Sequence, residues 1–244
     1  MRNIKLTISY DGTNYHGWQC QPDRKTIQET IKKAIERIVN HEVKVFGGAR
    51  TDSGVHAMGQ VANFFTEKTI DLLSLKKGLN SLLPKDIRVL DAKDVDNDFH
   101  ARYSAKSKTY VYIILNTPFD SPFFHYYTWH VPYYLDTEIM HKAIKEIVGV
   151  HDFSAFKKKN EIYKSNIREV LRAGVKRRKD FIYILIEATG FLRYMVRNIT
   201  GTLILIGKGK INANAMKDIL ESKNRDMAGQ TAPAKGLFLK KIVY

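Results

Sequence analysis

Gly47-Gly48-Ala49-Arg50-Thr51-Asp52-Ser53-Gly54-Val55-His56-Ala57 sets one acid among glycines and small residues, with an arginine two positions before it. Glycines give the backbone conformations closed to other residues and let a ligand approach closely. A carboxylate on such a turn is presented rather than packed away. The cation at Arg50 favours its ionised form. An ionised, positioned aspartate acts as a nucleophile or as a base. The plainer reading is an Asp capping its own turn, which a single D-x-G would deserve.

Elements can be read outward from this loop. Upstream, Ile4, Leu6, Ile8 and Tyr10 alternate with polar residues and predict an opening strand ended by Asp11-Gly12. Thr26 with Glu29 reads as a capping box opening a helix, with Ile27, Ile31, Ala34, Ile35 and Ile38 on its apolar face. A short strand is expected over Val43 to Phe46, another over Gln60 to Phe65, and a helix through Leu72, Leu75, Leu79 and Leu82 that stops before Pro84. Ile87 to Leu90 begin a further strand, so the order is β-α-β-β-α-β.

The second half repeats that order. Lys108 to Leu115 alternate as a strand; Ile139, Ala143, Ile144 and Ile147 mark a helix. Ile167 to Val175 and Phe181 to Ala188 predict a hairpin with Lys176 to Asp180 as its tip. Phe191 to Ile206 read as a helix ended by Gly207-Lys208-Gly209, and Leu237 to Val243 as the last strand. The expected class is α+β, with two ferredoxin-like β-α-β-β-α-β halves over 1–105 and 106–244. No sequence repeat links the halves.

The loop is one of several blocks that stand in a recognisable order. They include Tyr10-Asp11-Gly12-Thr13-Asn14-Tyr15-His16-Gly17-Trp18-Gln19, Phe99-His100-Ala101-Arg102-Tyr103-Ser104-Ala105 and Lys108-Thr109-Tyr110-Val111-Tyr112. Gly149-Val150-His151-Asp152-Phe153, Phe191-Leu192-Arg193-Tyr194-Met195-Val196-Arg197-Asn198-Ile199 and Thr231-Ala232-Pro233-Ala234-Lys235-Gly236-Leu237 follow. Together they resemble the TruA family of tRNA pseudouridine synthases across nearly the whole chain. The family loop reads G-R-T-D-A-G-V-H-A. Here Ala49 and Ser53 replace a glycine and an alanine, small for small.

The resemblance implies two aligned α+β halves with a basic cleft between them. It implies an isomerase, an intramolecular transferase that turns uridine into pseudouridine in the tRNA anticodon stem-loop, with positions 38, 39 and 40 as the family targets. No cofactor and no metal is implied, because the product is an isomer. Asp52 matches the family's catalytic aspartate; its role as nucleophile or base stays open. Tyr110 matches the tyrosine that stacks on the target base, while Tyr112 reads as core. Arg197 matches a helix arginine that pairs with the aspartate, and Arg50 is a second cation beside Asp52 or a holder of the nucleotide's phosphate. Arg193, four residues before Arg197, would share its helix side and reads as a solvated surface residue. Tyr10, Asp11 and Trp18 are expected to shape the cleft wall or grip RNA, and His56 to brace the loop. Asn63 stands where many members have a histidine, a departure expected to alter RNA contacts. The family usually forms a homodimer that engages tRNA. The same chemistry on another RNA, or an RNA-binding protein without activity, are the competing expectations.

Composition is consistent with such a partner. The chain has 244 residues, enough for one large domain or two ordinary ones, and 44% apolar content. Its 40 basic against 25 acidic residues leave a formal charge of +15, which favours a polyanion such as nucleic acid. Lys157-Lys158-Lys159 and the Lys176–Lys179 tip are candidate phosphate contacts, although charge runs usually only keep a surface wet. The lone Cys20 excludes an internal disulfide framework and fits a reducing compartment. The apolar run Leu203 to Ile206 falls far short of the roughly 18 residues of a membrane span. A cytoplasmic protein without membrane attachment is expected. The histidines lack zinc-like spacing, and no P-loop or G-x-G-x-x-G motif is present.

Overall fold

A computed structural model describes residues 1–244. The chain divides into two compact units, Met1–Lys106 with Phe238–Tyr244, and Ser107–Leu237.

The first unit runs β1 (Arg2–Tyr10), α1 (Ile27–Val39), β2 (Phe46–Gly47), β3 (His56–Thr66), α2 (Leu72–Leu82) and β4 (Ile87–Val95). β1 lies between β3 and β4 and is antiparallel to both, and β2 pairs antiparallel with β3, giving the ferredoxin-like order β4-β1-β3-β2. Ile4, Leu6 and Ile8 of β1 and Ile27, Ile31 and Ile35 of α1 are fully buried, so period two and period 3.6 meet in one core.

Two local expectations fail here. Thr26 is the N-cap of α1, but its side chain caps nothing and its hydroxyl is buried without a partner. The amides of Ile27 and Gln28 are instead taken by the carbonyls of Gly17 and Trp18, at 3.1 and 3.0 Å, so no capping box is needed. Glu29 pairs with Lys33 at 2.9 Å. The strand expected over Val43–Phe46 shrinks to Phe46–Gly47. Side chains serve the backbone before it: Glu36 accepts from the Val43 amide at 3.1 Å and Gln28 donates to the Val45 carbonyl at 2.8 Å.

The second unit runs β5 (Ser107–Leu115), β6 (Trp129–His130), α3 (Thr137–Lys145), β7 (Gly149–Asp152), β8 (Ile167–Arg178), β9 (Phe181–Ala188), α4 (Met195–Gly207) and α5 (Ala215–Ser222). Its sheet has the order β5-β9-β8-β7, antiparallel throughout, with β6 parallel to β5. β8 continues through Arg178, which pairs with Phe181, so the hairpin tip is Lys179-Asp180 alone. Arg177 is bound inward to the Asn116 side chain and the Leu135 carbonyl, at 2.8 and 3.0 Å. Ile139 of α3 faces out, and Met140 takes its place in the core. α5, which buries Met216, Ile219 and Leu220 at helical spacing, was not expected.

β10 (Leu237–Val243) has the expected bounds, but it pairs parallel with β3, Phe238 opposite His56 and Leu239 opposite Ala57. Residues 238–244 count with the first unit.

Candidate active site

In the first unit, residues 10–18 form a cradle under the Asp52 loop. The Trp18 amide donates to the Thr51 carbonyl at 3.1 Å. Only glycine fits immediately before it: Gly17 has φ +86°, and a Cβ there would stand 2.6 Å from the Thr51 oxygen. The Tyr10 and Thr51 hydroxyls share a 2.7 Å bond, and Ser53 donates to the Tyr15 carbonyl at 3.1 Å. Burial drives the Tyr10 hydroxyl's pKa far upward, so it stays a neutral hydrogen-bonding group. Tyr10, Tyr15 and Trp18 are all buried. Tyr10 and Trp18 thus support the loop from beneath.

From the other side, Gln60 of β3 bonds both backbone groups of Ala49, and the Gly48 amide reaches the Val61 carbonyl at 2.7 Å. His56 is buried against Phe238, with ring centroids 4.7 Å apart. Its Nδ1 accepts from the Gly12 amide at 3.1 Å and lies equally far from an Asp11 carboxylate oxygen. It braces the loop. Asp52 sits at the apex with its carbonyl accepting from the Val55 amide at 3.2 Å. Its side chain is half-buried, and Arg50 is exposed. A fixed backbone with a partly exposed carboxylate is the arrangement a positioned nucleophile or base requires.

Tyr110 and Arg197 belong to the second unit. Tyr110 lies on β5 opposite Ile186 of β9, with 7% of its surface exposed and its ring edge-on to Phe191 at 4.9 Å. Tyr112 is wholly buried and donates to the Pro233 carbonyl at 2.7 Å. Burial raises its pKa, opposed by the charge of Arg197. Arg197 lies in the first turn of α4. Its Nε donates to the Ala232 carbonyl at 2.6 Å, its carbonyl accepts from the Ala232 amide at 3.2 Å, and its guanidinium lies 4.8 Å from the Tyr194 ring centre. The Thr231–Leu237 block is therefore the clasp that aims Arg197 and Tyr112.

α4 begins at Met195, not at Phe191, because Tyr194 adopts a left-handed backbone with φ 66°. Arg193 consequently precedes the helix, and the four-residue spacing places it on no shared helical face. It is exposed, its amide takes the Tyr163 hydroxyl at 3.0 Å, and its guanidinium lies 4.0 Å from Glu161. The Tyr194 ring collects three cations, Lys158, Arg193 and Arg197, at 6.0, 5.4 and 4.8 Å. Sequence inspection missed this cluster because nothing in the residue types announces a left-handed tyrosine. The run Lys157–Lys159 splits: Lys157 donates to the Glu161 carbonyl, Lys159 pairs with Asp226 at 2.8 Å, and Lys158 faces Tyr194.

Asn63 is fully buried and touches no solvent. Its amide accepts from the Ala101 amide and donates to Asn3, each at 2.9 Å, tying β3 to the 99–104 turn. The contacts it makes in the folded chain are structural. No group of three or more His, Cys, Asp or Glu side chains is placed to hold a metal ion, and no helix is long and apolar enough to cross a membrane.

A family model described as tRNA pseudouridine synthase matches residues 6–104 and 143–244. A tRNA pseudouridine synthase A from Thermoanaerobacter sp. (strain X514) is 52% identical over 244 residues, covering 100% of both chains. One of the same description from Acetivibrio thermocellus is 46% identical over the same full span. A solved archaeal box H/ACA sRNP Nop10-Cbf5 complex shows a distant likeness, with a TM-score of 0.33 and 16% identity over 82% of this chain and 42% of that one.

Proposed function

The chain belongs to the tRNA pseudouridine synthase family, and from that premise we propose that it isomerises uridines in the anticodon stem-loop of tRNAs, with Asp52 as its catalytic residue. The reaction breaks the bond from ribose C1′ to uracil N1, turns the base, and joins C1′ to C5. The C5 proton leaves and N1 gains one. Nothing is oxidised or reduced, so a carboxylate and a means of holding the freed base suffice. The observation that carries the reading is the Asp52 side chain, half-exposed on a loop fixed from both sides.

Asp52 acts as nucleophile or base. Tyr110 supplies an aromatic face for the uracil. Arg197 is a fixed guanidinium that stabilises the charge of the site, and Arg50 holds substrate phosphate. Extruding the uridine costs about a few kcal/mol, which phosphate contacts from a +15 chain offset.

The test is release of tritium from tRNA carrying [5-³H]uracil, by purified protein without added nucleotide or metal. Asp52→Ala should keep tRNA binding and lose at least about a hundredfold in rate, the lower range for a missing general base. Full activity in that variant would remove Asp52 from the chemistry. A wild-type protein that binds tRNA and releases nothing would be an RNA-binding protein, and pseudouridine mapped only in another RNA would redirect the substrate.

The working form we propose is a cytoplasmic homodimer. Phe119, Phe123, Tyr133 and Tyr134, between β5 and α3, are 63–85% exposed, large apolar side chains that a second copy would cover. Light scattering behind size exclusion should give twice 28.1 kDa, and Phe123→Glu should shift it to one. A wild-type monomer at micromolar concentration would refute the dimer.

A further inference from the structure

A groove of about 860 Å³ opens in the first unit beside the Asp52 loop. Its floor includes the tail of the loop's cradle, and Arg50 stands on its wall. Three aromatic rings follow one another along it. Phe46 and His100 are 4.8 Å apart between centroids, and His100 and Tyr103 are 4.5 Å apart. Tyr103, at the outer end, is 75% exposed, so its ring face is open to a ligand.

Cations flank the rings. Lys44 lies 5.4 Å from the Phe46 ring centre and Arg102 lies 5.6 Å from that of Tyr103. Lys44, Arg50 and Arg102 are all exposed. The one carboxylate on the wall, Glu42, is already bound to Lys32 at 2.9 Å. The surface is therefore left with a net positive charge around flat, accessible rings.

The turn that carries Tyr103 and Arg102 is rigid. Ser104 accepts from the His100 amide at 3.0 Å, His100 Nδ1 accepts from the Arg102 amide at 3.0 Å, and the Ala101 backbone is held by Asn63 and by the Tyr244 hydroxyl at 2.9 and 2.7 Å. Burial holds the His100 pKa below its ordinary value, so the middle ring of the row is neutral at pH 7. Preorganised rings flanked by unpaired cations are what an unstacked nucleotide on a phosphate chain requires: a face for the base and charges for the backbone. A protein partner would call instead for an apolar centre with few cations.

We propose that this groove is an RNA-binding subsite separate from the Asp52 carboxylate. It stacks one unpaired base of the substrate on Tyr103 and grips the adjoining phosphates through Lys44 and Arg102. The inference rests on the tRNA reading above and adds a site to it.

Cys20, the chain's only cysteine, lines the same groove and is exposed, which provides a built-in probe. With an unmodified tRNA transcript, bound RNA should protect Cys20 from alkylation by N-ethylmaleimide. Tyr103→Ala should weaken the Kd by about 5- to 150-fold, the range for stacking one base, and abolish the protection, whereas Tyr103→Phe should keep both. Lys44→Gln and Arg102→Gln should each lower the slope of log K against log salt by about one.

An unchanged Kd and unchanged protection in Tyr103→Ala would overturn the subsite. So would a loss seen only in the charge variants, which would mean a diffuse basic surface with no base bound. If wild-type protein releases tritium from tRNA while Tyr103→Ala binds normally, the subsite falls and the proposed function stands. If wild-type protein neither binds tRNA nor releases tritium, the proposed function fails first.

Discussion

Gln60 holds Ala49 by both of its backbone groups: its Nε2 donates to the Ala49 carbonyl at 2.8 Å while its Oε1 accepts from the Ala49 amide at 3.1 Å. A side-chain amide on a strand thus does the work of a missing strand neighbour, three residues before Asp52. Both Gln60 and Ala49 are buried, so water cannot replace these bonds. An orphaned buried donor or acceptor costs about 1–3 kcal/mol. Gln60→Leu leaves one of each and should destabilise the fold by about 2–6 kcal/mol in urea unfolding. It should also lower the rate of pseudouridine formation at temperatures where the variant remains folded, because Asp52 loses its fixed base. A variant as stable as wild type would show that the loop is held elsewhere.

Much of this was legible in the chain because period and burial agree. Ile4, Leu6 and Ile8 announced β1, and Ile27, Ile31 and Ile35 announced α1; all six are fully buried. What misled was the local signal that a distant partner overrides. Thr26 and Glu29 carry the letters of a capping box, yet the carbonyls of Gly17 and Trp18 reach the helix end first. Val43 and Val45 alternate like a strand, but side chains from α1 occupy the backbone groups that a ladder would use. Arg193 and Arg197 have helical spacing, and a left-handed Tyr194 between them cancels its meaning. At the candidate site, Asp52 stood out because glycines surround it. The contribution of Gln60 did not, since a polar residue in a strand looks like a solvent-facing one.

Asn63 gives a prediction that separates structure from contact. Its side chain links Asn3, in β1, to the Ala101 amide, and all of this is buried. Were Asn63 an RNA contact, Asn63→Ala would weaken binding and leave stability alone. The bonding predicts the reverse emphasis: a loss of about 2–6 kcal/mol in unfolding free energy, at about 1–3 kcal/mol for each of the orphaned Ala101 amide and Asn3 side-chain oxygen. Any weaker tRNA binding would follow through the loosened 99–104 turn. Paired urea titrations and tRNA-binding isotherms distinguish the two, and unchanged stability with weakened binding would restore the contact role.

His100 should titrate below the ordinary histidine value near 6.5. Burial is the largest cause; a backbone hydrogen bond opposes it in part, and the charge of Arg102 adds a smaller push in the same direction as burial. The unfolded chain takes up a proton near pH 6.5 and the folded chain only at lower pH, so unfolding binds protons between those values. The stability contribution is therefore complete above about pH 6.5 and shrinks as the pH falls toward the folded pKa. Histidine Cε1 proton shifts followed by NMR should show one such acid-shifted resonance, absent in His100→Asn. That variant retains an acceptor for the Arg102 amide and should show a flatter stability profile from pH 6.5 downward. Arg102→Gln should move the His100 titration upward, because the neighbouring positive charge is gone. A His100 resonance that titrates above 6.5 would mean that the ring is charged near neutrality. The row from Phe46 to Tyr103 would then present a cation at its centre.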